Sequence, residues 1–388
     1  MMSFDDMEGM DLEALAHPQE MFKGLREMGG PVDMVDEMNM VVVGTGEHIR
    51  EVLMHPEVYS SGVDAVQIGQ IRPLIPLQID PPQHKYFRRL LDPIFGRETI
   101  ARIEPETRRL VKELIAKVKD TSGCNFHESI SEPLPSTVFL QLLGLPVERT
   151  KEFIALKDGI VRPPAKSNEE RIAMTDETGQ KIYALFKEEI AARADDRRDD
   201  LISMLLDAKV DGEPLTHDQV EDVLYLFFIA GLDTVTSSLD CFISFLAQNP
   251  DHRKQLVEDP SLITHAIEEM LRWESPVTGV IRITSQDTEL GGCPIKAGTQ
   301  VSVILGSSNT DPANWERSDE VDFHRDTKGH IAFGGGNHRC LGAHLARMEL
   351  RVTLEEWLAA VPDFAIKEGT ALRYSQGLRS IDNLELTW

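Results

Sequence analysis

Along most of this 388-residue chain, apolar residues recur at intervals of three and four, the spacing of one helix face, and Pro or Gly closes each stretch. Short runs rich in β-branched residues interrupt the pattern at Met38 to Val43, Val280 to Thr284, Gln300 to Leu305 and near the C-terminus. The pattern predicts a mainly α fold with small β-sheets. It shows no internal repeat and no low-complexity linker, so a single domain over residues 1–388 is expected.

One helix dominates the prediction. Thr216 and Gln219 form a capping-box pair at its start, and Asn249–Pro250 stops it. A helix of some 32 residues at about 1.5 Å each spans about 48 Å, and Val223 to Ile229 is apolar on most sides, so the core is its expected place. Its middle reads Ala230-Gly231-Leu232-Asp233-Thr234. Gly231 weakens the helix and Thr234 can return its hydroxyl to a carbonyl one turn back, so a local distortion is expected there. Asp233 and Thr234 offer a carboxylate beside a hydroxyl, a pair able to relay protons. The plainer alternative is that Thr234 binds its own helix turn and Asp233 pairs with a distant cation.

Charge and cysteine usage narrow the function classes. A net charge of −25 and a pI near 4.9 argue against nucleic acid or an anionic membrane as a partner. Neither an apolar run of about 18 residues nor a secretion signal is visible, so a cytoplasmic protein without a membrane span is expected. Cys124, Cys241, Cys293 and Cys340 lie far apart, which disfavours a structural zinc site and disulfides. The first three read as small buried hydrophobes. The charge-rich stretch Ala191 to Asp200 reads as a solvated helix end or loop.

The fourth cysteine is different. It sits in FGGGNHRCLG, residues 333–342, where glycines let the backbone fold tightly and approach a flat ligand. Leu341, Leu345, Met348 and Val352 then share one face of a following helix, whose N-terminal amides would favour a Cys340 thiolate. A thiolate on such a platform suits a metal taking one axial sulfur, haem iron foremost, although a surface turn with a buried thiol has the same local sequence. Two further pairs have helical spacing: Glu269 with Arg272, and His84 with Arg88 after Pro81–Pro82.

The run from Phe333 to Gly342 resembles the haem-binding signature of the cytochrome P-450 superfamily, with Phe333, Gly334, Gly336, His338, Cys340 and Gly342 in place. The resemblance extends from about Pro31 to Trp388 and carries three motifs in order. It implies the P-450 fold, a triangular helical prism with its long central helix over haem b. It also implies Cys340 as the axial iron ligand, pushing electron density towards O–O cleavage as cysteine-ligated haem does in this superfamily. By the same resemblance, Phe333, Gly334, Gly342 and Ala230 lie against the ring, and His84, Arg88, Arg282 and His338 bind its propionates. Asp233 and Thr234 become the acid–alcohol pair of oxygen activation. Glu269 and Arg272 become a buried clamp completed by Arg325; breaking such a cluster costs about 3–5 kcal/mol.

Within the superfamily, GCNFHESISEPLP, IAGLDTV and HLARMELRVTLEEWL are similar to the bacterial camphor-hydroxylase branch. That implies a monomeric monooxygenase using dioxygen, with electrons from a two-iron ferredoxin and an NAD(P)H-dependent reductase, and no fused reductase domain. Arg88, Arg89 and Arg347 are the expected docking cations for an acidic ferredoxin. Substrate walls are expected at Leu77 in the loop 63–77, at Leu226 and Ile229, at Val277 and Val280, and at Leu378. An apolar lining implies an apolar ligand. The first loop contains no tyrosine after Tyr59, which disfavours camphor, so a compact terpenoid or norisoprenoid is expected, with steroids, aromatics and fatty acids as alternatives. A peroxide-driven peroxygenase and a non-catalytic haem-thiolate sensor are the competing classes; intact Asp233–Thr234 argues against the first, and no output domain speaks for the second.

Overall fold

The computed structural model describes residues 16–28, 32–35, 39–375 and 378–388, so the start of the strand expected from Met38 lies outside the described residues. The central helix runs His217–Gln248, and both halves of its capping box form: Thr216 accepts from the Gln219 amide, and the Gln219 side chain accepts from the Thr216 amide. Leu232 and the apolar residues before it pack with Phe139, Phe153 and Phe186. Val235 and those after it pack with Met270, Leu350 and Trp357. Asp233 and Thr234 therefore sit at the joint between two cores. Each fully buried Phe contributes about 1.5–3 kcal/mol, so the helix is held firmly on both sides of that joint.

This helix also corrects one expectation. An 18-residue window within it has a mean hydropathy of 1.5, long and apolar enough to cross a membrane, but 78% of that window is buried inside the protein. The apolarity serves the core.

The main sheet has the spatial order Val32–Val35, Met40–Val43, Gln300–Val303, Val280–Thr284, Tyr59–Ser60. Gln300–Val303 pairs parallel with Met40–Val43, and the other neighbours are antiparallel. Val41, Val43, Val301 and Val303 alternate onto one buried face with Ile49 and Val52. The expected strand Gln300 to Leu305 stops at Val303, because Leu305 opens a short helix, Leu305–Asn309. A second sheet joins Gly123–Asn125 to Glu385–Thr387 and Ala365–Ile366.

The stretch Ala191 to Asp200 is the exposed helix end and loop expected, except at Arg193. Arg193 is fully buried; it donates to Asp200 Oδ2 at 2.6 Å and reaches the carbonyls of Leu143 and Gly144, while Asp200 caps the helix Leu201–Asp207. Charges that answer one another inside the protein make this a folded junction.

Candidate functional site

The cysteine loop is built backwards onto the helix Gly46–Met54. Gly336 adopts φ +62, and a Cβ there would meet the Leu53 carbonyl oxygen at 2.1 Å, so only glycine fits. The Cys340 amide donates to Phe333 O at 2.8 Å, closing the loop, and Ala343–Ala360 continues as a helix. The Cys340 side chain is solvent-accessible, yet it lies deep in the protein: burial pushes its thiol up, opposed by the Gly342 amide and by Arg88, Arg339 and Arg347. An accessible side chain in deep surroundings faces an internal hollow. Ala230 is exposed between the buried stretches of the central helix.

Beside this loop lies a cluster of donors without acceptors. The rings of His84 and His338 stand 4.2 Å apart, and both nitrogens of His84 and Nε2 of His338 are buried without a hydrogen-bond partner. Burial, with Arg88 adding to it, pushes the His84 pKa down to about 4; burial with His84, Arg282 and Arg88 pushes His338 down to about 3. Arg282 is buried, its guanidinium donating to the Ile281 carbonyl, and desolvation, opposed in part by the Asp80 carboxylate, lowers it to about 10. A buried guanidinium beside two buried imidazoles that lack partners and can accept protons favours an anion there. A flat ring carrying two carboxylates and an axially ligated metal fits this set together with the Cys340 loop. Arg88 shares the helical face of His84, but its head ties the cysteine loop, donating to Arg339 O at 2.7 Å and Asn337 O at 3.4 Å and pairing with Asp92.

On the central helix, Thr234 Oγ1 donates to Ala230 O at 2.9 Å, and helical hydrogen bonding continues through residues 230–234. The expected distortion is therefore absent, and Gly231 faces the core, where a Cβ would make an ordinary contact with Phe139 Cδ2 at 3.6 Å. Asp233 is buried and clasped. Arg162 Nη2 lies 2.9 and 3.1 Å from its two oxygens, and Lys157 Nζ lies 3.3 Å from Oδ1. Burial alone would raise this carboxyl, but Arg162 and Lys157 outweigh it and hold it below the ordinary range. Both features of the plainer alternative are thus present.

The sequence pair Glu269 and Arg272 is fully buried and bidentate, at 2.8 and 2.9 Å, and Arg325 Nε reaches Glu269 Oε1 at 3.0 Å. Arg272 also donates to the carbonyls of Asn309, Ser318 and Glu320, so the cluster locks the segment before the cysteine loop.

Among the expected walls, Val277 and Leu378 meet as an antiparallel bridge, and Leu77, Leu226 and Ile229 belong to one apolar cluster. Val280 packs against the main sheet cluster, opposite Val303. Of the expected docking arginines, Arg89 is exposed, whereas Arg88 is engaged as above. Arg347 pairs with Glu268 and lies 4.4 Å over the Phe333 ring. Sequence reasoning missed Lys157 and Arg162. The signal was available: Lys157 interrupts the apolar face formed by Phe153 and Ile160 at spacings of four and three, where a lone cation needs a buried carboxylate.

Comparison with known proteins gives one family. A family model described as Cytochrome P-450 matches residues 9–360. A probable cytochrome P-450 127A1 from Sinorhizobium fredii is 34% identical over 362 residues, covering 92% of this chain and 86% of the relative. A steroid C26-monooxygenase from Mycobacterium tuberculosis is 32% identical, covering 85% and 89%. The crystal structure of CYP109E1 from Bacillus megaterium in complex with testosterone superposes with a TM-score of 0.90 at 28% identity, covering 97% and 99%.

Proposed function

We propose, from the premise that this chain belongs to the cytochrome P-450 family, that Cys340 is the thiolate of its site and that a compact apolar terpenoid or norisoprenoid is its substrate. The family binds haem b through a cysteine thiolate, and the chain is a P-450 monooxygenase. The observation that carries the site assignment is the cluster of unanswered donors, His84, His338 and Arg282, beside the loop that holds Cys340.

When bound, haem b supplies the activation of dioxygen and the insertion of one oxygen atom into a C–H bond. The chain's own residues do the rest. The glycine loop and the Ala343–Ala360 helix orient Cys340, with the Gly342 amide favouring its ionised form. His84, His338 and Arg282 would hold the propionates, which would give the histidine nitrogens the partners they lack and Arg282 a charged one. Asp233 turns between its Arg162–Lys157 clasp and Thr234, carrying protons inward, and the Thr234 hydroxyl passes them on. Leu77, Leu226, Ile229, Val277, Val280 and Leu378 exclude water and select an apolar ligand.

On this reading the protein works as a monomeric haem domain in the cytoplasm, taking electrons from a separate two-iron ferredoxin and its reductase. The docking face lies on the cysteine side. There burial lowers the His344 pKa and Arg97, Arg347 and Arg339 lower it further, the mark of a positive patch on an acidic protein. A steroid substrate is the second reading, favoured by the steroid C26-monooxygenase relative and the testosterone complex of CYP109E1. Titrating purified ferric protein with terpenoids, norisoprenoids and steroids, reading the low-spin to high-spin shift, separates the two. Product formation with ferredoxin, reductase and NADH is expected to exceed that with hydrogen peroxide alone; the reverse would make it a peroxygenase.

A further inference from the structure

The clasp on Asp233 does not end at Lys157. Lys157 Nζ is fully buried and has three carboxylate neighbours: Asp158 at 2.9 Å, Glu132 at 3.0 Å and Asp233 at 3.3 Å. Glu132, just before the helix Pro133–Leu142, also faces His127 Nε2 at 3.7 Å with the same oxygen. His127 Nδ1 in turn lies 2.7 Å from Asp240 Oδ2, and Asp240 stands about two turns after Asp233 on the same face of the central helix. The result is one chain of alternating charge, Asp240, His127, Glu132, Lys157, Asp233, Arg162 and Asp158, buried at Asp240, His127, Lys157 and Asp233 and opening to solvent at Asp158; Asp240 also acts on Arg162 through space, and Ser380 Oγ lies 3.2 Å from Arg162.

We propose that His127 is a positioning residue for Asp233, acting through Glu132 and Lys157. The inference rests on the reading that Asp233 relays protons. Glu132 Oε1 is shared by two cations, and the Lys157 contact to Asp233 is the longest of its three. While His127 is charged it takes part of the Glu132 field, and Lys157 stays divided between Glu132 and Asp233. Without that charge Glu132 has Lys157 as its only neighbouring cation among the described residues and draws it off Asp233, which is left to Arg162. His127 remains charged in the working range: burial opposes its protonation, but Asp240 and Glu132 outweigh burial and push it up to about 10. Glu132 is driven down to about 2, where His127 and Lys157 outweigh its burial.

His127→Gln alone would strand Asp240 in the interior, so the test uses H127Q/D240N, a neutral pair that can still hydrogen-bond. It is compared with the wild type and with H127Q/D240N/E132Q. The first readout is the 15N resonance of the Lys157 ammonium in lysine-labelled protein, assigned by its loss in Lys157→Met. The second is the ratio of peroxide released to product formed during NADH-driven turnover. The double variant is expected to shift the Lys157 signal and to raise the peroxide ratio about fivefold, the scale of coupling within one ion-pair network. Adding E132Q, which removes the competitor for Lys157, is expected to return both towards wild type, a reversal that a purely structural role for His127 does not produce. A Lys157 signal unmoved in the double variant, or unrestored in the triple, overturns the proposal. A signal that moves and reverts while the peroxide ratio stays constant upholds the positioning of Asp233 and refutes the proton relay.

Discussion

Two buried charged clusters flank the cysteine loop, and they are opposites. In the Glu269–Arg272–Arg325 cluster each charged head finds hydrogen-bond partners within the chain, so burial carries no unmet demand. In the His84–Arg282–His338 cluster, three fully buried histidine nitrogens have no partner among the described residues, and the Arg282 guanidinium hydrogen-bonds only a carbonyl, through Nη1. The first is complete as protein and therefore structural. The second is complete only with a dianionic ligand, so its cost to the bare chain is recovered on binding.

The contrast is broken most directly at the closed cluster. Glu269→Gln leaves Arg272 buried without its carboxylate, and a loss of about 3–5 kcal/mol is expected in urea unfolding, with or without haem. A smaller and opposite signature is expected at the open cluster. Arg282→Leu leaves the stability of the haem-free protein equal or higher, but removes a charge-assisted hydrogen bond worth about 1.5–3 kcal/mol to the ligand, so haem transfer to an acceptor globin accelerates. A loss of haem-free stability as large as that of Glu269→Gln would erase the distinction.

A third effect depends on pH. His84 and His338 titrate near 4 and 3 in the folded chain against 6.5 unfolded, so between those values the unfolded state binds more protons. Their contribution is fully present above pH 6.5 and is lost as pH falls through about 4 and then 3. Acid unfolding of the haem-free protein is therefore expected to begin at higher pH than that of the haem-bound protein, in which propionates raise both pKa values. The smallest effect is expected at Arg347, whose pair with Glu268 is 26% and 21% exposed; Arg347→Gln should cost about 1 kcal/mol or less in the same unfolding assay.

These clusters also show what a sequence conveys. The capping box, the stop at Asn249–Pro250, the strand Val280–Thr284 and the Glu269–Arg272 pair are local patterns, set by neighbours within four residues, and they stand as read. Arg325, 56 positions from Glu269, came from family resemblance, since no periodicity links them. The clasp on Asp233 is legible only as an unnamed distant cation, because Lys157 and Arg162 reach it across more than 70 positions. The charge run from Ala191 to Asp200 is exposed as read except at Arg193, onto which the fold brings Asp200 and two carbonyls. The position of Arg88 was legible from its spacing to His84, but the direction of its head depended on where the cysteine loop lay.

The central claim, that the sulfur of Cys340 is the axial ligand of the bound haem, is tested most directly by the absorption spectrum of the reduced carbon monoxide complex. The wild type is expected to show the strongly red-shifted Soret band of thiolate ligation, and Cys340→His to replace it with the band of a nitrogen ligand. A thiolate band that survives in Cys340→His, or a nitrogen-type band in the wild type, would contradict the account.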